Sequence, residues 1–108
     1  MYGSGVAEKP GKKIPIIFGL SNIAPNPVRD GATVSYTTTR KGLVTLKIYN
    51  SAGRLVKTLI DRKITSAGGK TVYWDGRDNN NRPVTAGVYF FRLQAEDRTA
   101  TKKIVVVR

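Results

Sequence analysis

The sequence predicts an all-β fold, because helical periodicity is nearly absent and short apolar segments recur between turn-forming residues. Its 108 residues correspond to one domain, which is long enough to bury a core without the disulfides that a chain lacking Cys cannot form. Seven such segments are the number expected of an immunoglobulin-like antiparallel β-sandwich, and we predict that fold. The predicted strands are residues 14–19, 32–39, 43–49, 54–60, 70–75, 87–96 and 99–107.

The first two strands follow a polar leader. Residues 1–13 are rich in Gly and Lys, so we predict a flexible leader or linker there and a single domain over residues 14–108. Segment 14–19 is predicted to be an edge strand, because Pro15 has no N–H to donate to a second neighbour. A proline-containing loop leads to the second strand, whose alternation predicts a core face made of Ala32, Val34 and Tyr36.

The third and fourth strands are predicted to form a hairpin around a turn at residues 50–53. The third strand alternates well, and its predicted core face is Val44, Leu46 and Ile48. The returning strand is ambiguous, because its four large apolar residues cannot all face one way: Leu55, Val56, Leu59 and Ile60. Residues 61–69 are predicted to be a connection.

The last three strands supply the predicted core anchors, Trp74, Tyr89 and Phe91. The run from Ala86 to Tyr89 also resembles a tyrosine corner, in which the phenol hydroxyl bonds to upstream backbone. The other residues predicted to face inward are Val72, Leu93, Ala95, Ala100, Ile104 and Val106.

Composition argues against catalysis. The chain has no His and no Cys, and only seven acidic residues, most of which fall in turn-like sequence. An enzyme needs a placed acid, base, nucleophile or metal. We therefore expect no enzyme activity, no catalytic residue and no required cofactor.

The net charge of +12 has two interpretations. It can attract an anionic partner such as nucleic acid, lipopolysaccharide or another acidic surface. It can also reflect a solvated surface, since the Lys and Arg residues are spread along the chain without a dense block. No nucleic-acid-binding signature is present, so no nucleic acid partner is expected.

An Asp/Asn-rich loop follows Trp74. Calcium takes six to eight oxygen ligands, and the candidate ligands are Asp75, Asp78, Asn79 and Asn80, with Asn81 beside them. The order of these residues differs from the EF-hand pattern, and Arg77 and Arg82 add positive charge. Asp and Asn also build tight turns, so the alternative is a turn-rich connection without metal.

Two aromatic residues fall on outward positions of their strands. Tyr73 and Phe90 alternate with residues predicted to face the core. Together they suggest a small sugar-stacking platform and hence a carbohydrate-binding accessory module as one alternative function.

Three segments carry a family resemblance: V-x-L-x-I-Y-N-x-x-G-R-x-V at 44–56, W-D-G-R-D at 74–78 and A-G-V-Y-F-F-R-L at 86–93. Followed by K-K-I-V-V-V-R, they resemble the C-terminal sorting domain of type IX secretion substrates. They are equally similar to the immunoglobulin-like domain of the flagellar hook-capping protein, to which such sorting domains are related. The likeness covers residues 23–108.

The resemblance implies a non-catalytic module attached to a larger exported cargo protein, secreted or held at the surface of a Gram-negative bacterium via the periplasm. The implied partners are an outer-membrane translocon, a sortase that cleaves within residues 6–21, the upstream cargo domain and anionic lipopolysaccharide. The alternative that it implies is a hook-cap-type assembly domain. The implied sorting signal is Lys102, Lys103, Ile104, Val105, Val106, Val107 and Arg108.

Overall fold

Two antiparallel sheets contain all of the strands in residues 17–108, the part of the chain that the computed structural model describes. The three-stranded sheet has the order β1-β2-β5, and the four-stranded sheet has the order β4-β3-β6-β7. The strands are β1 (Gly19–Ala24), β2 (Ala32–Thr38), β3 (Gly42–Asn50), β4 (Leu55–Thr65), β5 (Gly68–Trp74), β6 (Gly87–Ala95) and β7 (Arg98–Val106). The predicted seven-stranded antiparallel sandwich is confirmed. Residues 17–108 contain no helix with the length and apolar character needed to cross a membrane.

The core lies between the inner faces of the two sheets. The predicted inward rows of β2 and β3 are confirmed, since each of their six named residues is at most 5% exposed. In β6 the alternation is equally regular: Tyr89, Phe91, Leu93 and Ala95 are buried, and the residues between them are not. Because successive strand residues point to opposite faces, each strand covers the core with every second side chain.

The first strand lies further along the chain than predicted. It is Gly19–Ala24, and it pairs with β2 from Gly19↔Thr37 to Ala24↔Thr33. Ile17 is 73% exposed and precedes the strand, while the leader 1–13 and residues 14–16 lie outside the described range. Among the described residues of the predicted segment, only Gly19 belongs to the strand. The rest of β1 carries little sequence signal, because it buries only Ile23 and its other residues are half-buried or exposed.

The predicted connection at 61–69 is also wrong, since β4 continues to Thr65 and β5 begins at Gly68. Pairing between β3 and β4 shifts register at three places. One shift lies opposite Thr45, where Arg62 has a φ of 48°. The other two shifts leave Leu59 and Val56 as extra residues without a partner in β3. An extra residue at a bulge changes which face the neighbouring side chains point to, which explains why the apolar pattern of this strand did not alternate.

Glu96 joins two turns at one end of the sandwich. Its carboxylate accepts hydrogen bonds from the hydroxyl of Thr39 and from the backbone N–H of Thr39 and of Arg40, the last at 3.3 Å. The Thr39 hydroxyl bond lowers the pKa of Glu96 most, and the two backbone bonds and the Arg40 charge lower it further, against a partial desolvation that raises it. The β6–β7 turn is thereby attached to the β2–β3 turn.

We predict that two neighbouring residues of β6 differ sharply in their contribution to stability. Phe91→Ala empties a fully buried site and should lower the free energy of unfolding by about 3 to 5 kcal/mol. Phe90→Ala, on the outer face, should cost less than about 1.5 kcal/mol. Urea denaturation followed by Trp74 fluorescence measures both, and equal losses would contradict the assigned faces.

Glu96→Gln should reduce the dependence of stability on pH. Because folding lowers the pKa of Glu96, its ionisation stabilises the fold above the ordinary Glu pKa of about 4.3 and ceases to do so as the pH falls through the lower folded value. The difference in unfolding midpoint between wild type and variant should therefore shrink on acidification over that interval. Asp97→Asn removes an equal charge from the same turn and is the control, and a constant difference would contradict this role of Glu96.

Candidate functional site

The C-terminal segment 102–108 is an edge of the sandwich, not a free tail. It continues β7, which pairs with β6 along its whole length. Ile104 and Val106 are buried in the core, whereas Lys103 and Val105 are exposed. Lys103, Val105 and Arg108 of the implied sorting signal are therefore exposed, and Lys102 and Val107 are half-buried.

The outer edge of β7 is held by the loop that precedes β2. The N–H of Val28 donates to the carbonyl of Val105 and the N–H of Val107 donates to the carbonyl of Val28, both at 2.8 Å. Val28 itself is fully buried. In a strand, backbone groups alternate sides, so the N–H and C=O of Thr99, Thr101 and Lys103 also point outward. No described backbone group pairs with those three residues.

The last residue closes this arrangement. The guanidinium of Arg108 donates two hydrogen bonds to the carbonyl of Val84, from Nε at 3.1 Å and from Nη2 at 2.6 Å. Val84 lies at the end of the Asp/Asn loop and is buried. The end of the chain is thus attached to the connection between β5 and β6, far away in sequence.

The Asp/Asn loop uses its side-chain oxygens to build turns. Oδ1 of Asp78 accepts from the N–H groups of Asn80 at 2.9 Å and Arg82 at 3.0 Å, and Oδ1 of Asp75 accepts from the N–H of Arg77 at 3.0 Å. These are the Asx-turn contacts of the metal-free interpretation. Within residues 17–108 no cluster of three His, Cys, Asp or Glu side chains is placed to hold a metal ion. Calcium at Asp75, Asp78, Asn79 and Asn80 stays a prediction.

The same loop covers the free edge of β4. The N–H of Asn79 donates to the carbonyl of Val56 at 2.9 Å, and Oδ1 of Asn79 accepts from the N–H of Thr58 at 3.1 Å. Asn79 therefore hydrogen-bonds to the edge strand as one residue of a neighbouring strand would. Exposed strand edges invite pairing with other chains, and a covering loop prevents it.

The core anchors hold both ends of this loop. Trp74 is fully buried, and its Nε1–H donates to the carbonyl of Arg77 at 2.9 Å. At the other end the hydroxyl of Tyr89 donates to the carbonyl of Thr85 at 2.7 Å, which is the predicted tyrosine corner. The Trp74 ring packs edge-on against Phe91 with centroids 5.5 Å apart.

Tyr73 and Phe90 do not form one platform. Tyr73 lies on β5 in the three-stranded sheet and is 62% exposed, whereas Phe90 lies on β6 in the other sheet. Their outward side chains leave opposite faces of the sandwich, so the proposed pairing is wrong. Phe90 is instead directly opposite Tyr49 of β3. Alternation along β3 and β6 already indicated that the Tyr49 and Phe90 rings point outward. That the two rings lie side by side follows only from the strand register.

Known proteins share this architecture. The family model of the FlgD Ig-like domain matches residues 28–99, two thirds of the 108-residue chain. A search of curated proteins found no significant match. The immunoglobulin-like character of the predicted sandwich and the likeness to the hook-capping protein's domain are therefore confirmed.

Among solved structures, PorU of Porphyromonas gingivalis, described as dimeric and latent, superposes with a TM-score of 0.65 at 24% identity, over 88% of this chain and 10% of that one. PorZ, described as an essential surface component of the type IX secretion system of the same bacterium, gives 0.58 at 24% identity, over 81% and 11%. FlgD of P. aeruginosa gives 0.56 at 23% identity, over 70% and 60%. The chain spans about a tenth of PorU and PorZ, and these likenesses show a common fold.

Substitutions at Asp78 should separate the two interpretations of the loop. Asp78→Ala leaves two N–H groups without their acceptor and should lower stability by about 1 to 2 kcal/mol. Asp78→Asn retains the accepting Oδ1 and should stay within about 0.5 kcal/mol of wild type. Thermal unfolding with and without added calcium measures both effects. A calcium-dependent rise in melting temperature that Asp78→Asn abolishes would contradict the turn-only interpretation and support the calcium site.

Proposed function

Because the chain belongs to the family of FlgD Ig-like domains, we propose that it is a non-catalytic secretion and sorting module of a larger extracellular protein. The proposed partners are the type IX translocon, a sortase and the covalently attached cargo, with anionic lipopolysaccharide as the acceptor to which the sortase joins that cargo. The proposed location is the cell surface or the medium of a Gram-negative bacterium.

The observation that carries this proposal is the form of segment 102–108. It is a folded edge strand that exposes Lys103 and Val105 beside the bridge made by Val28. A receptor can bind such an edge only when the domain is folded. The strand takes this form only when Ile104 and Val106, on its other face, are packed in the core. Recognition of the last strand would therefore report that the domain has folded.

Two further facts support the proposal. The fold is shared with segments of PorU and PorZ, and PorZ is described as an essential surface component of type IX secretion. The chemistry of the chain is consistent with a non-catalytic role, because three of its seven acidic side chains are engaged in hydrogen bonds within or between turns. Asp75, Asp78 and Glu96 each accept hydrogen bonds from nearby backbone N–H groups.

The test is an export assay in a bacterium that has a type IX system. Residues 7–108 are fused behind a periplasmic fluorescent reporter, and fluorescence is measured in the medium, on cells and in the periplasm. We expect the reporter outside the cell with the domain removed. Deleting residues 102–108 is a poor test by itself, because the deletion also removes two buried core residues, Ile104 and Val106, and we expect it to destabilise the whole domain.

A sharper pair of variants keeps the fold. Lys103→Glu changes an exposed side chain on the edge of β7, and Lys63→Glu makes the same change of charge at an exposed position of β4. We expect Lys103→Glu to retain most of the reporter in the periplasm and Lys63→Glu to export it normally. A wild-type fusion that folds stably yet stays in the periplasm would refute the sorting role.

The family match also favours a second candidate, an assembly domain of the hook-cap type. FlgD of P. aeruginosa shares the fold over 60% of its own chain. In that role the module would bind other copies or neighbouring subunits of a surface structure, and export would not depend on Lys103. Two results together would favour this candidate. The Lys103→Glu fusion would be exported normally, and the purified wild-type domain would form a multimer that the Lys103→Glu variant does not form.

A further inference from the structure

The outer face of the four-stranded sheet combines aromatic and basic side chains. Register places them in two cross-strand rows, the first running Leu55, Tyr49, Phe90 and Lys103 and the second Thr58, Lys47, Arg92 and Thr101. The basic-aromatic face is defined here as Lys47, Tyr49, Phe90, Arg92 and Lys103. Neighbouring strands lie about 4.8 Å apart, so each row spans about 14 Å.

The two rings and the central guanidinium form one unit. Tyr49 and Phe90 are directly opposite each other and are both half-buried. The Arg92 guanidinium lies over the Tyr49 ring, 5.4 Å from its centroid. A shallow hollow of about 510 Å³ beside them is lined by Tyr49, Phe90, Arg92 and Thr101, among others. A flat ring of a ligand has room to lie there against an aromatic surface.

The charge of this face has one sign. The three strands that carry the defined residues, β3, β6 and β7, contain no Asp or Glu, and their outward rows carry Lys47, Arg92 and Lys103. The remaining strand of the sheet, β4, contains one acid, Asp61, which is exposed and lies at a register shift between β4 and β3. Glu96 lies four residues beyond Arg92, about 13 Å along a strand. The cations of the face are therefore available to an external anion, and they attract one over several ångströms of solvent.

We propose that the basic-aromatic face binds an acidic polysaccharide whose sugar rings bear carboxylates. The C–H face of a sugar ring packs against the electron-rich face of Phe90, while Tyr49 holds the Arg92 guanidinium over its own ring. The planar guanidinium of Arg92 donates hydrogen bonds to the carboxylate of that sugar. Lys47 and Lys103 attract the carboxylates of the adjoining sugars. The choice of a glycan over a polynucleotide rests on the extracellular location proposed above.

Binding is tested with the 108-residue protein and polygalacturonate by isothermal titration calorimetry at low and high salt, with neutral dextran alongside. We expect binding to polygalacturonate that weakens with salt, and no binding to dextran. Arg92→Gln should lower the affinity about tenfold, the range of a charged hydrogen bond. Phe90→Leu keeps an apolar side chain but removes the flat ring, and it should lower the affinity about threefold.

The matched controls lie away from this face. Arg29→Gln removes the same charge from the exposed loop before β2, and Tyr73→Leu removes an exposed ring from the other sheet. Both should bind like the wild type.

Equal losses of affinity in Arg29→Gln and Arg92→Gln would mean attraction by net charge alone and would overturn the proposal. Stronger binding of oligothymidylate, with the same dependence on Phe90 and Arg92, would also overturn it in favour of a nucleic acid. Because Arg92→Gln should be exported normally, failure here is distinct from failure of the export assay.

Discussion

Packing of Trp74 across the sandwich is the contact on which most of this structure depends. Its indole leaves the three-stranded sheet and meets Phe91 and Tyr89 of the four-stranded sheet, with ring centroids 5.5 and 6.3 Å away. Tilted and edge-on pairs of this kind add specific attraction to a large burial of apolar area. One side chain therefore fixes the distance and orientation of the two sheets, and its Nε1–H also begins the loop that follows.

That loop connects features that lie far apart in the sequence. Held by Trp74 at one end and by the hydroxyl of Tyr89 at the other, it brings Asn79 against the edge of β4. Its last part presents the Val84 carbonyl to Arg108. A loop rich in Asp and Asn thus closes one strand edge and fixes the end of the chain, and its polar side chains are needed for that geometry.

The described interior is almost entirely made of aliphatic and aromatic side chains. Apart from the Tyr and Trp residues of the core, Thr38 is the one buried side chain with a polar group among the described residues. Two distinct surfaces remain: the edge of β7, which suits recognition by a folded-domain receptor, and the outer face of its sheet, which suits a flat anionic ligand. They share Lys103, so occupancy of one surface is expected to influence the other.

The sequence by itself determined the sandwich, because alternation in β2, β3 and β6 is regular and each inward row is buried. It also determined the anchors, since Trp74 and Tyr89 flank a run of turn residues. Only the tertiary structure decided the position of β1, the length of β4 and the meeting of Tyr49 with Phe90. An edge strand with one buried residue carries little pattern, and a bulge destroys the alternation that sequence reading relies on. Pairing across strands depends on register, and register is set by contacts between segments that the linear sequence does not place side by side.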